Sequence, residues 1–97
     1  MSPRYRLSAQ ASKDMRAIYR ESANQFGLAQ ADKYHDGLYE AIQLLADFPE
    51  AAPERHELRP AMRAYPKGSH LIVYRIDARG IEIIRVFHQR QDWINKL

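Results

Sequence analysis

The rhythm of apolar and polar positions changes once along this chain, near residue 58. Between about residues 9 and 48 apolar residues recur every three or four positions. From about residue 58 they recur every two. At the start, residues 4–8 (RYRLS) alternate polar residues with Tyr5 and Leu7, which predicts a short strand. Ser8 is placed to cap a following helix, because its hydroxyl can accept from a first-turn N–H that has no partner within the helix. Ala11, Met15, Ile18, Ser22 and Phe26 then form one helical stripe, with Tyr19 beside it. Gly27 is expected to stop this helix in the left-handed conformation that only glycine enters without steric cost. A second helix is predicted from about Leu28 to Asp47. Ala31, Tyr34, Leu38, Leu45 and Phe48 lie along one side of it, and Ala41 and Ile42 fill the gap. Gly37 inside this helix weakens it by roughly 1 kcal/mol relative to alanine, and close approach of the first helix would explain its presence. Pro49 ends the segment.

Residues 49–56 (PEAAPERH) carry two prolines and no periodicity, and predict a loop. "MRAY" gives a short strand around residues 61–65, and PKGS (66–69) is a turn. "HLIVYRI" (70–76) and "IEIIRVFH" (81–88) are two β-branched, apolar strands joined tightly through Ala78, Arg79 and Gly80. The predicted fold is α+β in the order β-α-α-β-β-β. A helical hairpin covers one face of a mainly antiparallel sheet, and a short C-terminal helix or tail follows. Neither half buries a core alone, so residues 1–97 are expected to form a single domain.

Composition narrows the class. Hydrophobic residues make up 45% and charged residues 28%, a globular balance. There is no cysteine, which excludes disulfides and thiolate metal sites. The first ten residues lack a signal peptide's apolar stretch, and no run reaches membrane-spanning length, so a cytoplasmic protein without membrane contact is expected. The formal net charge is +3. Residues 1–48 hold six basic and six acidic residues, and residues 49–97 hold nine and six, so the excess lies in the second half. This suits either an anionic partner on one face or a solvated surface with extra arginines.

His35, His56, His70 and His88 match no paired-ligand spacing, so neither a metal nor another cofactor is expected. Arg55, Arg59 and Arg63 recur every four residues, but Pro60 prevents a helix there. Arg63 and Arg85 fall in strands, where each can pair with a carboxylate such as Glu57 or meet an anionic partner. Phosphodiester cleavage needs a general base, a general acid and cations around the phosphate. Arg59, Arg63, Arg85 and Arg90 offer charge, and His88 offers a base. Alternation with Ile84 and Val86 instead points to His88 as a hydrogen-bonded core residue.

The whole chain resembles the ParE toxins of bacterial type II toxin–antitoxin modules, within the wider RelE/ParE superfamily. The resemblance runs through "YRLS" (5–8), Asp14-Met15, "FG" (26–27), "LADFP" (45–49), "ELRPAMR" (57–63), "GSHLIVYRI" (68–76) and "GIEIIRVFHQRQD" (80–92). It implies a small toxin that inhibits DNA gyrase without cleaving anything, and a cognate antitoxin whose C-terminal segment wraps over it. DNA would be engaged only indirectly, through antitoxin or gyrase. RelE-type relatives share the fold but cleave messenger RNA on the ribosome, using acid–base residues near the end of the last strand. Here Gln89 and Arg90 stand past that strand, and neither transfers protons at neutral pH. A binding role without catalytic residues is therefore expected, with ribosome-dependent RNA cleavage as the alternative and loss of activity as a third possibility.

On this reading the antitoxin- or target-binding residues are Arg59, Arg63, Arg85, Gln89, Arg90 and Trp93. His88, Gly27 and Gly37 are expected to be structural. Trp93 is either packed back on the sheet or hairpin or part of a contacting tail. Because the last strand ends at His88, residues 89–97 are expected to matter less for folding than for partner contact.

Overall fold

The computed structural model describes residues 4–58 and 61–97. Strand β1 (Tyr5–Leu7) leads into helices α1 (Ala9–Phe26) and α2 (Leu28–Asp47), followed by strands β2 (Glu54–Arg55), β3 (Met62–Lys67), β4 (His70–Asp77) and β5 (Gly80–His88). A short 3₁₀ turn (Ile94–Lys96) follows. The five strands form one mixed sheet in the order β1-β5-β4-β3-β2. Only β1–β5 is parallel, because the helical hairpin carries the chain across the sheet between them; the later strands follow as antiparallel neighbours. The predicted loop at 49–56 thus contains a two-residue edge strand, β2, and the predicted turn at 66–69 shrinks to Gly68–Ser69 as β3 runs on to Lys67. No helix among the described residues is long and apolar enough to cross a membrane.

Ser8 caps α1 as expected, its hydroxyl accepting from the Ala11 N–H at 2.9 Å. Gly27 separates the helices with φ +88 and ψ 168. This is an extended, glycine-only conformation rather than the left-handed helical one expected, and it lets one residue both end α1 and begin α2. Met15 and Ile18 of α1, with Leu38, Ile42 and Leu45 of α2, cover Ile72, Tyr74, Ile81, Ile83 and Val86 on one sheet face. Phe26 and Phe48 end their stripes beyond this core and stand 66% and 62% exposed. Gly37 does not face α1. A Cβ there would lie 3.7 Å from the Lys67 side chain, an ordinary contact.

The opposite sheet face has its own small core. Met62, Ala64, Leu71, Val73 and Phe87 are buried there under Leu58, with Trp93 packed against them. The tail is stitched down as well. The Gln89 N–H and side-chain amide donate to Ser69 and Gly68 carbonyls at 2.9 and 2.8 Å, and the Gln91 amide oxygen accepts from the His88 N–H at 2.8 Å. Residues 89–93 thus make contacts that contribute to the fold as well as standing among the expected partner contacts.

Candidate functional site

β1 pairs only with residues 81–83 of β5, so the second half of β5 continues as an uncovered edge. Side chains satisfy that edge. The Ser8 hydroxyl donates to the Ile84 carbonyl at 2.7 Å, and Asp14 Oδ2 accepts from the Val86 N–H at 2.9 Å. Asp14 also grips Arg85 through Nε at 2.8 Å and Nη2 at 3.1 Å. This bidentate geometry favours the charged guanidinium and raises the Arg85 pKa further above its ordinary range, chiefly through the Asp14 hydrogen bond. Its carbon also lies 4.5 Å from the centre of the Phe87 ring.

A bulge changes the register of β5. Val73 pairs with Arg85 and Tyr74 with Ile83, which leaves Ile84 as an extra residue. Ile83 and Val86 therefore share the helix-facing side, while Ile84 packs toward the opposite core. His88 follows Val86, not Ile84, and corrects the expected placement. It is half-buried at the rim of a cleft of about 370 Å³ beside α1, not within the core. Its Nδ1 accepts from the Arg90 N–H at 3.1 Å.

The buried histidine is its cross-strand partner His70, 9% exposed, a role that spacing alone did not reveal. The Tyr34 hydroxyl lies 2.6 Å from His70 Nδ1 and accepts from the Ser69 N–H at 3.0 Å. Gly68 leaves room for this arrangement: its φ is +58, and a Cβ would come within 2.7 Å of the Tyr34 ring. Burial first, then the neighbouring His88 imidazole, lower the His70 pKa, with Glu21 opposing. The rings of His70 and His88 meet edge-on at 5.3 Å.

The other predicted site residues scatter. Arg63 donates to the Ala52 carbonyl at 2.6 Å and approaches Glu54, its cross-strand partner, at 3.7 Å. Glu57 pairs with Arg55 rather than with Arg63 or Arg85. Trp93 tilts against Phe87 at 6.4 Å, and Arg55 lies 5.0 Å from its ring centre. Arg90 is exposed and its guanidinium makes no ion pair among the described residues. Arg59 lies outside the described residues. The structure thus brings together His70, His88, Arg85 and the unforeseen Asp14 at one cleft, and places Arg63 and Trp93 elsewhere. Among the described residues no group of three or more metal-binding side chains converges.

Of the side chains weighed for cleavage, Arg63, Arg85 and His88 make contacts that hold strands, turns and helices in place, as does His70. That arrangement suits a rigid binding surface better than proton transfer around a phosphate.

Comparison with known proteins agrees with this architecture. Residues 5–93 match the family described as ParE toxin of type II toxin-antitoxin system, parDE. The chain is 37% identical over 93 residues to Toxin ParE1 of Mycobacterium tuberculosis, covering 95% of each. It is 38% identical over 85 residues to Toxin ParE1 of Caulobacter vibrioides, covering 88% of each. Toxin ParE of Escherichia coli is 30% identical over 95 residues, with 96% of this chain and 91% of that one covered. The fold superposes on a chain of the chromosomal ParDE TA system from P. aeruginosa with a TM-score of 0.74 at 21% identity, over 87% of this chain and 92% of the other. By sequence along nearly its whole length, the chain belongs to the ParE toxin family of type II toxin–antitoxin systems.

Proposed function

We propose that this protein is a growth-inhibiting toxin that acts in the cytoplasm by binding DNA gyrase, without catalysing a reaction, and is neutralised by a cognate antitoxin. Membership of the ParE family supports the toxin role, and gyrase as the target is what the resemblance to ParE toxins implies. One observation carries the non-catalytic reading. Of the described side chains that could move protons or cradle a phosphate, all but Arg90 are committed within the chain: Arg85 to Asp14, Arg63 to Ala52 and Glu54, His70 to Tyr34, and His88 to the Arg90 backbone.

The antitoxin segment is amphipathic and net negative, in keeping with the basic second half of the chain. Arg90 is its most available contact among the described candidates, because Arg63 and Arg85 already have partners. Gln89, Trp93 and Arg59 complete the proposed contact set. The test is expression in a host with and without the antitoxin, joined to mapping of ribosome-bound message. Growth arrest that the antitoxin relieves, with messages intact, agrees with the proposal. Arrest accompanied by codon-phased cleavage of translated message overturns it and favours the RelE-type alternative.

A further inference from the structure

The charge balance of residues 1–48 conceals a segregation that the helical hairpin makes visible. Lys13, Arg16 and Arg20 follow one another at spacings of three and four along α1, and all are exposed. Asp32, Asp36 and Glu40 do the same along α2 at spacings of four. Both stripes lie on the helix faces turned away from the buried residues Met15, Ile18, Leu38 and Leu45. They occupy the same level of the hairpin. Arg20, Arg16 and Lys13 stand 7, 11 and 14 residues before Gly27, and Asp32, Asp36 and Glu40 stand 5, 9 and 13 after it. At 1.5 Å per residue each stripe is about 10–12 Å long. None of the six side chains enters an ion pair among the described residues.

Between the stripes runs a seam of half-buried rings. Tyr19 and His35 meet edge-on at 5.4 Å, and His35 and Tyr39 at 5.0 Å, while the Tyr19 hydroxyl bonds to Asp32 at 2.6 Å. Aromatic residues at the centre with charge on either side is the anatomy of a protein interface rather than of a uniformly solvated helix pair.

We infer that the outer face of the hairpin is a self-association surface whose partner is a second copy of this chain. A two-fold axis along the aromatic seam, parallel to the helices, lays α1 of one copy over α2 of the other. All three cations then meet carboxylates at matching levels on both sides of the axis. A two-fold axis in the same plane but across the helices sets α1 on α1, cation against cation, so the charge pattern selects one arrangement. Two adjacent helices about 10 Å wide and about 27 Å long offer roughly 500 Å² per copy. This is below the roughly 800 Å² per partner of a standard stable interface. The dimer is therefore reversible and sensitive to salt.

The test is analytical ultracentrifugation of the purified full chain at about 0.01 M and about 1 M salt, where the screening length is roughly 30 and 3 Å. The wild type dimerises at low salt, and its dissociation constant rises at least about tenfold at high salt. K13E/R16E and D36R/E40R are each monomeric, because each places like charges across both halves of the interface. An equimolar mixture of the two forms a heterodimer, and the single chain carrying all four substitutions dimerises again. All the altered positions are exposed, and circular dichroism checks their folding. A wild type that stays monomeric up to its solubility limit, or a dimer that survives in both reversed variants, overturns the inference. So does a four-fold variant that folds but stays monomeric.

Discussion

Removing the Asp14 carboxylate tests whether Arg85 is a structural residue or a poised contact for a partner. Asp14 is 15% exposed in its side chain and accepts three hydrogen bonds: two from Arg85, which is 24% exposed, and one from the N–H of buried Val86. Hydrogen bonds to charged groups are worth about 1.5–3 kcal/mol each on deletion and do not add fully within one network. Asp14→Ala orphans a half-buried guanidinium and a strand-edge N–H together, and is expected to cost about 3 kcal/mol. Asp14→Asn keeps one neutral acceptor for Val86 and is expected to cost about 1–2 kcal/mol. Arg85→Met removes the pair but leaves Asp14 bonded to Val86, and is expected to fall in the same range. For a domain of this size 1 kcal/mol moves Tm by about 4–8 °C, so Asp14→Ala lowers it by roughly 12–24 °C. Urea unfolding of Asp14→Ala, Arg85→Met and the double variant gives the coupling, expected above about 1 kcal/mol. If Asp14→Ala cost less than about 0.5 kcal/mol, the range of ordinary surface changes, the β5 edge would not depend on this pair. Loss of antitoxin affinity in Arg85→Met at unchanged Tm would then assign Arg85 to the partner.

Other perturbations give distinct readouts. Gly37→Ala should stabilise by about 0.5–1 kcal/mol in thermal melts, since the methyl meets only Lys67 at 3.7 Å and the helix gains propensity. Gly68→Ala should cost about 2 kcal/mol or more, from a positive φ and a collision with the Tyr34 ring that breaks its contact with His70. The lowered His70 pKa means that the unfolded chain takes up a proton that the folded one resists. Stability from this group is therefore full above the ordinary histidine pKa and is lost as pH falls through the folded value. Urea midpoints measured downward from neutral pH should decline, and His70→Gln should flatten the decline. Trp93→Ala should cost about 1–2 kcal/mol by uncovering Phe87, and deleting residues 89–97 should cost more because the bonds of Gln89 and Gln91 go too.

The elements with clean periodicity were legible before any coordinates. The stripe through Met15 and Ile18, the break at Gly27 and the two apolar strands all recur where spacing places them, because local pattern and burial agree there. The β5 bulge defeated a strict two-residue register. Its trace is visible in retrospect as the adjacent apolar pair Ile83-Ile84 followed by Val86-Phe87, which no single buried face accommodates. Asp14 was unreadable as the partner of Arg85, since 71 residues separate them and only the β1–α1 connection brings them together. His70 was missed in favour of His88 for the same reason: its environment is made by Tyr34 from α2, which no spacing within the strand encodes. Leu58 and Trp93, which cover the second core, lie in segments too irregular to carry a period.

The central claim is that this toxin inhibits by binding gyrase rather than by cleaving RNA, and gyrase supercoiling measures it most directly. Purified toxin added to gyrase, relaxed plasmid and ATP should suppress supercoiling and, after denaturation of the enzyme, leave linear plasmid from trapped cleavage complexes. Addition of the cognate antitoxin should restore supercoiling. Normal supercoiling and no linear product, with toxin in excess over gyrase and shown to be folded by circular dichroism, would contradict the account.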